Sequence, residues 1–217
     1  MFVLGLTGSI AMGKTWGAMC FRHFGVPVHD ADACVHDLLR PGGEAVAAVN
    51  AAFAGVADAH GGIDRRKLAD RVFADPGSSG SSGSSASLDQ LEAILHPLVY
   101  KRQRRFLARY ARAAAPLVVL DVPLLYETEG RSKVDAVVVM SAPKFLQRRR
   151  ALKRPGMSEQ KLNAILARQM PDEVKRQVAE YGVMTNGPRG QSLRRIAAII
   201  KETRVLRGVV WTPGWGR

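Results

Sequence analysis

Eight consecutive residues carry the most specific chemistry in this chain: Gly8-Ser9-Ile10-Ala11-Met12-Gly13-Lys14-Thr15. Their spacing is G-x-x-x-x-G-K-[ST], the pattern of a phosphate-binding loop. The apolar run Phe2-Val3-Leu4-Gly5-Leu6 precedes it and reads as a short buried strand. Trp16-Gly17-Ala18-Met19-Cys20-Phe21 follows and reads as the opening of a helix. Between a strand and a helix the motif has a mechanism. Glycines let the loop curl, so that successive backbone N–H groups face a phosphate chain. The positive end of the helix dipole lies beneath the same phosphates. Lys14 reaches the β- and γ-phosphates of a nucleoside triphosphate, and the Thr15 hydroxyl ligates Mg²⁺. The bland alternative is a glycine-rich turn that happens to end in Lys-Thr; the complete pattern behind a strand argues against it. Gly8, Ala11, Met12, Gly13, Lys14 and Thr15 form the expected nucleotide cradle. Trp16 either packs on the core or lies near the base.

Acids stand where a parallel sheet would place them. Residues 26–29 read as a second strand, and Asp30 and Asp32 follow it just before a helix over 33–39. Ligands of open parallel sheets bind beyond the carboxyl ends of the strands. Two carboxylates there suit a catalytic base and a metal or capping partner, or one of them simply caps the next helix. The clearest buried strand lies in Pro116-Leu117-Val118-Val119-Leu120-Asp121. Its closing acid is Walker-B-like, and Asp121 can hold a water of a Mg²⁺ shell. His96 precedes Pro97, and the residue before proline avoids the helical region. The pair is therefore expected to break a helix over 88–95 from a long basic one over 99–114. His96 then sits at a corner, as a helix-end cap or as a substrate contact.

The elements that must position these groups alternate between strand and helix, which predicts an α/β fold with a doubly wound parallel sheet. Helices are expected over 44–53 and 65–73, the second capped by Asp64. Residues 77–87, mostly Gly and Ser, read as a flexible surface loop, because they have nothing apolar to bury. A further apolar strand covers 135–140, and a helix runs from there through Lys153. Ser158 and Asp172 are expected to cap two more helices, over 159–170 and 173–179. These helices carry many arginines and few apolar runs, which suits a mobile flap over phosphates. A last strand at 181–184 leads to an amphipathic closing helix over 192–206. The tail from Val209 suggests no function.

Composition bounds the rest. With 217 residues, 47% hydrophobic and 24% charged, the chain is an ordinary globular length and mixture. No run of about 18 uncharged apolar residues predicts a membrane span, and no signal peptide is read at the start, so the cytoplasm is the expectation. Two cysteines, Cys20 and Cys34, make no disulfide framework and read as small buried groups. The net charge of +13 invites a nucleic-acid reading. The cations gather in Lys101-Arg102-Gln103-Arg104-Arg105, Arg148-Arg149-Arg150 with Lys153-Arg154, and Arg194-Arg195, which suits phosphorylated small molecules better.

Taken together, several stretches resemble the dephospho-CoA kinase family, the P-loop kinases that close coenzyme A biosynthesis. They are Gly5-Leu6-Thr7-Gly8-Ser9-Ile10 with Gly13-Lys14-Thr15; Asp30-Ala31-Asp32; Ile63-Asp64-Arg65; Leu91-Glu92-Ala93-Ile94-Leu95-His96-Pro97; Asp121-Val122-Pro123-Leu124-Leu125-Tyr126-Glu127; Asp135-Ala136-Val137-Val138-Val139; Gln147-x-x-Arg150-x-x-x-Arg154; and Arg168-Gln169. The resemblance implies ATP-dependent phosphorylation of the ribose 3′-hydroxyl of dephospho-CoA, with ATP as donor and Mg²⁺ as its metal. It implies a nucleotide-binding core (1–30, 115–143 and 180–207), an inserted helical CoA-binding domain (31–114) and a helical lid (144–179). By the same resemblance Asp32 is the base, Lys14 and Arg150 are catalytic, Arg154 joins Trp16 on the ATP side, and Arg65 and His96 contact the substrate with Asp32. Three departures stand out: Ala11 where the family commonly has glycine, Trp16 where it has Ser or Thr, and no acid near Met184-Thr185-Asn186-Gly187. The rivals are another small-molecule P-loop kinase, of nucleoside or shikimate type, a degenerate inactive relative, and a nucleotide-gated nucleic-acid-binding protein. On the favoured reading no nucleic acid and no membrane is a partner.

Overall fold

The structure is a computed structural model that describes residues 1–73 and 86–212. It divides into two compact units: Met1–Asp30 with Phe106–Arg217, and Ala31–Arg105.

The first unit is built on five parallel strands: β1 (Phe2–Thr7), β2 (Val28–Asp30), β3 (Leu117–Asp121), β4 (Ala136–Ser141) and β5 (Tyr181–Met184). Their spatial order is β2-β3-β1-β4-β5. Parallel strands need long crossovers, and helices supply them. β1, β3 and β4 are buried throughout and mostly apolar because both of their faces are covered. The period of two sorts the side chains of each strand. Phe2, Leu4 and Leu6 pack with Leu117, Val119, Val138 and Met140 beneath helices α1 (Lys14–His23) and α9 (Arg189–Thr203). Val3, Val118, Leu120, Val137 and Val139 pack on the other face around Leu107 and Leu125. β1 lies between β3 and β4, and the chain leaves it toward β2 on one side and later crosses to β4 on the other. The carboxyl end of β1 is thus the topological switch point, where such sheets bind ligands.

The second unit is helical: α2 (Ala31–Leu39), α3 (Val46–Ala52), α4 (Arg65–Phe73) and the first part of α5 (Ala86–Arg112). Its own core gathers Leu38, Val49, Phe53, Val56, Ile63, Leu68 and Leu95. Asp64 caps α4 as expected, its Oδ1 accepting from the backbone N–H of Arg66 at 2.9 Å. After β4 come α6 (Lys144–Leu152), α7 (Glu159–Ala167) and α8 (Asp172–Val178). Ser158 caps α7 by accepting from Lys161 N–H at 3.2 Å.

Three expectations are corrected. The expected break at His96-Pro97 is absent: α5 runs unbroken through Pro97. Burial of Leu95 in the second unit and of Leu107 in the first outweighs the roughly 3 kcal/mol that an internal proline costs. Residues 86 and 87 of the expected Gly/Ser loop are the first of α5; the rest of that stretch lies outside the described residues. Asp172 does not cap α8. Pro171 occupies the cap position, and Asp172 Oδ2 instead accepts from the Ser141 hydroxyl at 2.5 Å. Both cysteines are buried, as expected. The tail is anchored by Asp135, whose Oδ1 accepts from the N–H groups of Val209 and Val210 at 2.7 and 2.9 Å. Among the described residues no helix is long and apolar enough to cross a membrane.

Candidate active site

The glycine-rich loop occupies the switch point, between β1 and the first turn of α1. Gly13 takes φ +92°, a left-handed conformation that favours glycine. A Cβ on Gly8 would meet the Met140 carbonyl oxygen at 2.7 Å, so only glycine passes there without a shift. Ala11 is also left-handed, at φ +62°. That costs a non-glycine residue about 1 kcal/mol. Its methyl is buried against Ala151 and Leu162, which returns a comparable amount. The alanine therefore keeps the glycine-like loop shape instead of closing it.

At the mouth of the sheet Lys14 Nζ lies 2.7 Å from Asp121 Oδ1. Asp121 is only 2% exposed, and its register partners are Leu6 on β1 and Asp30 on β2. Parallel pairing thus sets two acids side by side at one edge, Asp30 with Arg22 3.8 Å away. Thr15 is exposed at the first turn of α1. The Met12 N–H is already committed, closing a turn on the Ser9 carbonyl at 3.1 Å. Trp16 packs against the α1–α9 cluster, donates Nε1–H to the Ser192 hydroxyl at 2.8 Å and lies under the Arg189 guanidinium.

Arg150 reaches Thr185. Its guanidinium donates to Thr185 Oγ1 at 2.9 Å and to the Thr185 carbonyl at 2.6 Å. The Thr185 hydroxyl lies 3.0 Å from the Met12 carbonyl and 3.2 Å from the Ser141 carbonyl. The position near which the family's acid is missing is thus a hub that ties the loop to β4 and α6. Arg154 is exposed beyond the end of α6. In the second unit Asp32 is exposed in the first turn of α2, one turn from His36, so the two share a helix face. Arg65 Nη1 donates to His36 Nδ1 at 3.1 Å. His36, bonded to Arg65 and on the same helix face as Asp32, is not singled out by the sequence. His96 is exposed in mid-helix, its ring 6.2 Å from that of Tyr100.

Four further residues brace the loop from outside. Gln147 and Gln169 bond the Ile10 peptide. Glu127 Oε1 accepts from Met170 N–H at 2.8 Å and lies 2.8 Å from Lys175 Nζ, a wholly buried ammonium. Gln147, Gln169 and Glu127 lie in motifs quoted above; nothing in the sequence singles out Lys175. Beside Glu127, burial pushes the Tyr126 phenol up to about 12, helped by the Glu180 carboxylate and opposed by Arg131.

A family model described as dephospho-CoA kinase matches residues 2–189. The chain belongs to the dephospho-CoA kinase family. A dephospho-CoA kinase of Paramagnetospirillum magneticum is 56% identical over 176 residues, covering 81% of this chain and 78% of that one. Another, from Mesorhizobium japonicum, is 48% identical and covers 96% of this chain and 100% of its own length. A crystal structure from Thermus thermophilus shares 32% identity at a TM-score of 0.73, covering 93% of this chain and 97% of that one. A dephospho-CoA kinase structure from Campylobacter jejuni has the same fold, with a TM-score of 0.62 at 20% identity, covering 93% and 96% of the two chains. Membership in the dephospho-CoA kinase family spans both compact units, so the helical unit belongs to the family's architecture.

Proposed function

We propose that the protein transfers the γ-phosphoryl group of ATP to the ribose 3′-hydroxyl of dephospho-CoA, giving coenzyme A and ADP. The observation that carries this reading is the glycine-rich loop at the sheet's switch point, with Lys14 held on buried Asp121, in a member of this family. Phosphoryl transfer asks a protein for charge neutralisation and in-line positioning. Lys14 and the loop amides supply the first, and Arg150 and Arg154 add positive charge from the α6 side. Asp32 orients the 3′-hydroxyl and accepts its proton while the oxygen bonds to the γ-phosphorus and the bond to the ADP oxygen breaks. Arg65 and His96 stand as contacts of the acceptor, Arg65 through a guanidinium that His36 already orients.

Thr15 and Asp121 offer hard oxygen donors, which fit Mg²⁺. The Thr15 hydroxyl would hold the ion, and Asp121 would hold one of its waters. Bound there, Mg²⁺ offsets charge on the phosphates. The core, the CoA-binding insertion and the lid over 144–179 keep their proposed roles, in a cytoplasmic enzyme. Within that lid, Gln147 and Gln169 both bond the Ile10 peptide of the loop, so opening the lid breaks both bonds.

The deciding assay is ADP release with dephospho-CoA against nucleosides and shikimate as acceptors. Replacing Asp32 tests the base. Asp32→Asn is expected to lower kcat at least about a hundredfold, with ATP affinity unchanged. Unchanged turnover removes Asp32 from that role.

A further inference from the structure

The peptide of Ile10 is gripped on both sides. Gln169 Oε1 accepts from Ile10 N–H at 3.1 Å, and Gln147 Nε2 donates to the Ile10 carbonyl at 3.0 Å. Gln147 is buried on α6, and Gln169 lies just beyond α7. An N–H demands an acceptor and a carbonyl demands a donor, so the two amides work with opposite polarity. Gln169 is itself braced: the N–H of the next residue, Met170, is held by Glu127, the partner of buried Lys175. Ile10 directly precedes left-handed Ala11. The orientation of its peptide sets where the following loop amides point. Neither glutamine has to touch the nucleotide to do this.

We infer that Gln147 and Gln169 are positioning residues for the donor nucleotide, acting together through the Ile10 peptide to set the affinity of the loop for a triphosphate. A corollary concerns the chain between them. Docked, it holds the cradle in shape; displaced, it strips both partners from one peptide. Triphosphate binding and docking of residues 148–168 therefore favour each other, as linkage requires.

The inference rests on the proposed function only for the acceptor, and nucleotide binding is read without one. Full-length protein is titrated with ATP and Mg²⁺ by calorimetry. KM values for ATP and dephospho-CoA are then measured on the same variants. Gln169→Met and Gln147→Met remove one hydrogen bond each, and each is expected to weaken ATP binding about tenfold while the dephospho-CoA KM stays within about twofold. Gln169→Glu keeps the acceptor, whereas Gln147→Glu sets a carboxylate against a carbonyl. Both glutamates add the same charge beside the same peptide, so their difference reports polarity together with the deeper burial of Gln147. Gln147→Glu is expected to weaken ATP binding at least about fivefold more than Gln169→Glu. Gln169 is partly exposed, so its variants keep the test open should a change at buried Gln147 unfold the chain. Unchanged ATP affinity in the methionine variants, equal losses in the two glutamates, or parallel rises in both KM values would each overturn the inference. Failure of dephospho-CoA turnover with the calorimetric pattern intact would instead strike the proposed function alone.

Discussion

Lys14 and Asp121 form an ion pair at 2.7 Å in which the carboxylate is almost wholly buried and the ammonium partly so. Such a pair is not a large source of stability, because desolvation offsets much of the Coulomb gain; breaking it from one side is costly. Lys14→Met is therefore expected to lower the stability of the nucleotide-free protein by about 2 kcal/mol. The double variant Lys14→Met/Asp121→Asn should recover most of that loss, because the buried negative charge is removed together with its cation. Chemical denaturation of both variants checks this, and equal losses would show that the pair does not matter to the fold. Turnover should fall in both by more than about a hundredfold, which separates the structural duty of the pair from its chemical one. The Lys14 motif was legible in the sequence because its spacing is short and local. The partner was not: Asp121 lies 107 positions away, and the sequence assigned it only to a metal-bound water.

At the scale of elements, local signals served well where local physics dominates. The expected span of α4, its Asp64 cap, the span of β5 and the Ser158 cap all match. Local reasoning failed where packing overrode it. Proline and its restriction on His96 argued for a broken helix, yet α5 runs 27 residues because apolar groups on both sides of Pro97 are buried. Removing the local penalty should therefore stabilise the protein. Pro97→Ala supplies the missing N–H to the Ala93 carbonyl and is expected to add about 2 kcal/mol. Urea unfolding of the full chain measures the gain; no gain would mean that the helix has already adapted to the ring. The segment over 144–179 carries buried side chains that its arginine-rich composition does not point to: Gln147, Ala151, Leu162 and Lys175. Four side chains spread over three helices cannot be placed by a pattern that lacks their partners.

For the molecule as a whole, the excess of 13 positive charges acts at a distance. It attracts polyphosphates toward a site whose substrates both carry them, and salt screens that attraction. The expected result is a fall of about fivefold or more in kcat/KM for ATP between about 0.05 and 0.5 M salt, with kcat within about twofold. A flat kcat/KM would show that the cations lie too far from the cleft to steer. The sequence by itself determined the α/β class, the nucleotide loop, its lysine and hydroxyl, and the family likeness, because each rests on residues close together along the chain. Only the tertiary structure decided what the loop leans on: Thr185 under Arg150, the two glutamines on Ile10, and Asp121 against Lys14. Those contacts join positions 35 to 159 residues apart, and burial, which no spacing encodes, selects among the many polar residues able to make them.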